Sequence, residues 1–122
     1  MNPSSAERLA ALVGFLGVAL GAFGAHRLSA TLAQHQTAAI WEKAVLYHLV
    51  HAVMLFFVAT RRPFRAGPWL CFFFGVLSFS GSLYLLAATN TRWLGAITPI
   101  GGTSFLIGWI WLMFPARAEP RQ

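Results

Sequence analysis

Four apolar stretches, each long enough to cross a bilayer as a helix, limit what this chain can fold into. They run from Leu9 to Ala25, Ala38 to Thr60, Trp69 to Ala88 and Trp93 to Phe114. The first, third and fourth contain no charged side chain. The second carries Glu42 and Lys43 near its start and His48 and His51 further in. The hydrocarbon core takes about 20 helical residues, within a range of about 17–25. Lipid offers no partner for backbone N–H and C=O groups, so each stretch must satisfy its own as a helix. The expected fold is an all-α membrane protein, an antiparallel bundle of four transmembrane helices in a single domain over residues 1–122.

Composition supports lipid as the solvent. Hydrophobic residues make up 57% of the chain and charged ones 10%, where a soluble domain carries about 25% charged. A soluble chain this short buries too little of its surface to hide that much apolar area. The first stretch also has a signal-peptide reading, with small residues at Ala22 to Ala25 as a cleavage site. Its apolar run exceeds the about 7–15 residues of a signal core, so we read it as a membrane span.

The formal charge of +6 invites a nucleic-acid reading. The basic residues sit at the ends of apolar runs, however, and not along one helical face, so no nucleic-acid partner is expected. The cluster Arg61, Arg62 and Arg65 falls in a short loop, where membrane proteins meet anionic headgroups. Arg8, Arg61, Arg62, Arg65, Arg117 and Arg121 share one side of the membrane, and Arg27, Lys43 and Arg92 the other. That bias predicts both termini and the middle loop in the cytoplasm. Trp41, Trp69 and Trp93 fall near the span ends, as interfacial anchors do. Ser29 and Thr31 lie in the longest connection, where a brief interfacial helix is expected. Prolines and a glycine interrupt Arg61 to Pro68.

Two glycine patterns concern packing. Gly14, Gly17, Gly21 and Gly24 line one face of the first helix and admit a close neighbour. The neighbour is expected to be the second or fourth helix, or a second copy in a homo-oligomer. Gly101, Ser104 and Gly108 repeat the idea in the fourth helix. Pro99 with Gly101 and Gly102 predicts a kink over Pro99–Gly102, because proline frees a carbonyl one turn back.

Ionisable groups inside a membrane are functional hypotheses by default. His48 and His51 share a helical face, and Tyr47 lies one turn before His51. Counting antiparallel positions brings Ser80, Ser82, Tyr84 and Thr98 to similar depth. The expected site is a polar pocket of Tyr47, His48, His51, Ser80, Ser82, Tyr84 and Thr98. His51 is expected to face inward and to bond a polar group on the third or fourth helix, with Ser80, Ser82, Tyr84 and Thr98 as candidates and Tyr47 as the local alternative. An isolated polar ring in hydrocarbon costs about 2–7 kcal/mol.

Several chemistries are set aside. The chain has no aspartate, and its only carboxylate side chains are Glu7, Glu42 and Glu119. Catalysis by paired carboxylates and proton pumping through buried acids therefore have no basis, and no catalytic residue or enzymatic activity is assigned. Cys71 stands alone and lies towards the opposite face from the two intramembrane histidines, so neither a metal nor a cofactor is expected. No phosphate-cradling loop of the Walker type occurs. Membrane lipids are the expected surroundings.

Taken together, Gly21-Ala22-Phe23-Gly24-Ala25-His26, Tyr47 with His51, Phe79-Ser80-Gly81-Ser82-Leu83-Tyr84, and Thr98-Pro99-Ile100-Gly101-Gly102 with Phe105, Gly108 and Trp109 form a pattern over all four helices. In this the chain resembles the small bacterial inner-membrane proteins grouped as domain of unknown function 423, related to eukaryotic transmembrane protein 256. The resemblance implies an integral membrane protein of few helices, and supplies neither a mechanism nor a substrate. Two functions follow from the residues alone, with a membrane enzyme as a third reading that the missing carboxylates disfavour. One is a pocket that binds or conducts a small solute, lipid headgroup or proton. The other is a structural or accessory protein whose polar groups hold the helices together.

Overall fold

Each apolar stretch is helical in the computed structural model, which describes residues 1–117. Arg121, used in the orientation argument, and Glu119 lie outside the described residues. The first span is α1 (Pro3–Ala25). It begins ahead of the apolar run because Asn2 caps it, its side chain accepting the Ser5 N–H at 2.8 Å, and Pro3 occupies the first turn. A short helix, α2 (Ser29–His35), follows in the expected place and ends on Gln36 in the left-handed conformation. The second span is α3 (Ala38–Thr60).

The third span is continuous from Ala66 to Thr89 but changes pitch. It comprises α4 (Ala66–Gly75), a π-helical segment (Val76–Ser80) and α5 (Gly81–Thr89). Pro68 falls in the first turn of α4, where its missing N–H removes no helix bond. The fourth span opens as a 3₁₀ helix (Arg92–Ala96) and continues as α6 (Thr98–Leu112). The expected kink is present, but at Ile97 and not over Pro99–Gly102. Pro99 sits in the first turn of α6, so the helix restarts at the proline and runs regularly through both glycines.

The spans are arranged around α3. On one side α3 packs along α1, and on the other along the third span, which in turn carries α6. The α1 glycines face α3. Trp41 lies against Gly24, where no Cβ would fit. A Cβ at Gly17 would come 2.7 Å from Leu49 and 3.2 Å from His48, and one at Gly21 3.2 Å from Val45. At Gly17, Gly21 and Gly24 the close neighbour is thus α3 of the same chain, whereas Gly14 borders open space. Between the third span and α6 the fit is reciprocal. Phe105 of α6 seats on Gly75, Phe72 of α4 on Gly108, and the Phe79 backbone on Gly101.

The tryptophans correct one expectation. Of the three named as anchors, only Trp93, 68% exposed, has the accessibility of one. Trp41 and Trp69 are buried. The Trp41 N–H donates to the Leu20 carbonyl at 3.0 Å, tying α3 to α1. Trp69 stacks on Phe73, its ring centroid 5.2 Å away, inside the core shared by α1, α3, α4 and α6.

Candidate functional site

The face of α3 that meets the other spans carries both intramembrane histidines, and each ring is held at both nitrogens. His48 Nε2 lies 2.7 Å from the Val13 carbonyl on α1, and Nδ1 lies 2.8 Å from the Tyr84 hydroxyl on α5. A carbonyl only accepts, so the proton sits on Nε2 and the neutral ring accepts from Tyr84 O–H at Nδ1. Gly17 lies against the ring edge and leaves it room to reach the Val13 carbonyl. One side chain thereby joins three spans.

His51 adopts the opposite tautomer by the same logic. Its Nδ1 donates to the Tyr47 carbonyl at 2.7 Å, one turn back, and its Nε2 accepts from the Trp109 N–H of α6 at 3.1 Å. Indole N–H is a donor only. A second proton on Nε2 would face that donor head-on. The ring lies flat on Phe105, centroids 3.6 Å apart and planes at 10°, with Phe72 and Trp109 at its edges.

His51 faces inward and bonds a polar group of the fourth span, but that group is the Trp109 indole and not one of the candidates Ser80, Ser82, Tyr84 or Thr98. Those four make other bonds. Ser80 O–H donates to the Ala44 carbonyl at 2.8 Å, about two helical turns from His51 along α3. Ser82 O–H donates to the Phe79 carbonyl at 3.0 Å, and the Ser82 and Thr98 hydroxyls pair at 2.7 Å. Tyr84 belongs to His48. Tyr47 is 40% exposed and its ring packs on Phe79, away from the serines and Thr98. The seven residues therefore fall into four separate hydrogen-bonded groups: His51 with the Tyr47 carbonyl, His48 with Tyr84, Ser80 with the Ala44 carbonyl, and Ser82 with Thr98.

Hollow space lies mostly elsewhere. Depressions of 490 and 550 Å³ run along the flank of α1 and α3, lined by residues such as Gly21, Leu46 and Phe56. The polar set meets a smaller one of 250 Å³, between Leu46, Tyr47, Val50 and His51. Outside the spans, backbone carbonyls at the helix ends are also covered. Thr37 O–H donates to the Ala87 carbonyl at 2.8 Å, and an Arg92 N–H to the His35 carbonyl at 3.0 Å. What this arrangement does chemically is fix helices against one another: the donors of His48, His51, Ser80 and Ser82 each face a carbonyl, while the buried Trp69 N–H in the core has no partner among the described residues.

Comparison with known proteins agrees with the architecture. The model of a family described as a protein of unknown function (DUF423) matches residues 20–102. A UPF0382 membrane protein of Staphylococcus epidermidis is 46% identical over 110 residues, covering 86% of this chain and 88% of the relative. The UPF0382 membrane protein YwdK of Bacillus subtilis is 42% identical over 115 residues, covering 88% and 92%. No solved structure matches the chain. Four spans of 21–24 residues and relatives named as membrane proteins describe a multi-pass membrane protein. The chain belongs to the DUF423 family, whose members are membrane proteins of unknown function.

Proposed function

We propose that this protein is a non-catalytic, accessory component of the bacterial inner membrane, whose intramembrane polar residues clamp its helices and conduct nothing. One observation carries the reading: both ring nitrogens of His51 are occupied, one by a carbonyl and one by an indole N–H. A proton relay needs a nitrogen that can take and release a proton towards water. Neither the Tyr47 carbonyl nor the Trp109 indole N–H takes up or gives up a proton near neutral pH, so a ring held between these two has no partner to relay with.

The test is flux. Protein reconstituted into liposomes with a trapped pH-sensitive dye is expected to leak protons at the rate of protein-free liposomes under an imposed potassium potential. Flux above that baseline that disappears in a folded His51→Phe variant would return His51 to the role of relay or pocket wall, with the 250 Å³ depression beside it as the entry.

Orientation belongs to the same reading. Six of the nine basic residues lie on the side of the two termini and the middle loop, which supports a cytoplasmic location for all three. A reporter fused after Gln122 is expected to be active in the cytoplasmic form only. Activity on the outer side would reverse the assignment.

A further inference from the structure

We infer that the arginine-lined depression between the ends of α3 and α6 binds the phosphodiester of one anionic phospholipid. The depression holds about 300 Å³, and Arg61, Arg62 and Arg65 line it together with Phe57 of α3 and Leu112 of α6. It lies where the second span ends, the third begins and the fourth ends, which is headgroup depth for a chain spanning by these helices.

The three arginines are not equivalent. Arg65 donates to the Phe114 and Trp111 carbonyls, each at 3.0 Å, and so closes the C-terminal end of α6. Arg62 donates to the Ala59 carbonyl at 2.8 Å and reaches Glu7 at 3.4 Å. Both are held in place by backbone carbonyls; Arg65 brings its full positive charge to the depression, while Glu7 partly offsets that of Arg62. Arg61 differs. Its guanidinium lies over the Phe57 ring, 5.3 Å from the centroid, and among the described residues it is hydrogen-bonded to no protein group. Its planar fork of donors suits the two free oxygens of a phosphodiester.

Phosphate chemistry alone would also fit a free anion. The apolar members of the lining choose the lipid. Phe57 and Phe114 are 47% and 63% exposed, and Phe57 lies in the last turn of a membrane span. A headgroup held by the arginines would lay its acyl chains over those rings, whereas a free phosphate gains nothing from them. Basic pockets between spans are general sites for anionic headgroups.

The experiment is thermal unfolding of the full chain in a neutral detergent, titrated with dioleoyl phosphatidylglycerol, dioleoyl phosphatidylcholine or inorganic phosphate. Phosphatidylglycerol is expected to raise the midpoint saturably, and the other two are not. Arg61→Gln is expected to weaken the apparent affinity about fivefold, as one juxtamembrane arginine does. Arg8→Gln removes the same charge from the same side of the membrane, outside the depression, and is expected to leave the affinity unchanged. If Arg61→Gln fails to fold, Arg61→Lys keeps the charge and loses the fork, and a smaller weakening is expected. Equal shifts from both lipids, equal losses from Arg8→Gln and Arg61→Gln, or a full shift from inorganic phosphate would each overturn the proposal. The first means no headgroup selection, the second a diffuse positive surface, and the third a free-anion site.

Discussion

Gly101→Ala is expected to destabilise the protein by about 3 kcal/mol, the upper end of what overpacking costs, while Gly81→Ala leaves it unchanged or slightly more stable. Both glycines are helical, with ordinary negative φ. The difference is what a Cβ would meet. At Gly101 it would run into the backbone nitrogen of Phe79, and its distance to Phe79 Cα would be 2.7 Å. Backbone cannot swing aside as a flexible side chain does, so α6 must move away from the π-helical segment. That movement also draws Phe105 away from Gly75 and from the His51 ring. At Gly81 nothing lies within 4 Å of the added carbon, and alanine favours the helix by up to about 1 kcal/mol. Unfolding midpoints in detergent for the two variants check this directly. Equal effects at the two positions would mean that the close approach at Gly101 does not exist.

His48→Phe is the second variant with a large expected effect, about 2 kcal/mol of lost stability. It removes a bond to α1 and a bond to α5 in one step. Interhelical bonds in membranes contribute about 0.6–2 kcal/mol each, and the abandoned Tyr84 hydroxyl adds its own desolvation penalty, about 1–3 kcal/mol when fully buried. Tyr84→Phe in the same chain removes that second term. The double variant is therefore expected to be more stable than His48→Phe alone, which is the opposite of additive loss. Additive losses would mean that Tyr84 and His48 do not bond.

The four spans were legible because uncharged runs of bilayer length leave the backbone one solution. The packing role of the α1 glycines was legible because their spacing follows the helical repeat. The positions of the site residues were less so. Matching residues by antiparallel counting assumes a uniform pitch, and the π-helical segment at Val76–Ser80 breaks that assumption. Nothing in its sequence, Val-Leu-Ser-Phe-Ser, announces a change of pitch. Ser80 meets Ala44, about two turns from His51, a larger offset than one π-helical segment produces, so counting from span ends gives depth too coarsely to pair side chains. The kink was foreseen but set too late, because a proline reads equally as an interruption inside a helix or as the first turn of a new one.

Trp109 was the missed partner, although its signal was present. Counting from the outer ends of α3 and the fourth span puts His51 level with Phe105, and Trp109 is one turn on. Its indole N–H needs an acceptor in an apolar setting. Attention to hydroxyl groups as partners hid the one side chain that can only donate. Trp41 and Trp69 were misjudged for a related reason. Proximity to a span end does not say which way a ring points, and Trp41 turns towards the space above Gly24.

The clamp is tested most directly by nitrogen-15 NMR of the histidine side chains in the full protein in lipid bilayers near neutral pH. His48 is expected to carry its proton on Nε2 and His51 on Nδ1, each as a single tautomer, with slow exchange against water. The two opposite assignments follow from the Val13 and Tyr47 carbonyls. A His51 ring that averages between tautomers, or whose proton exchanges rapidly with solvent, would contradict the account. The ring would then be reachable by water and free to move a proton.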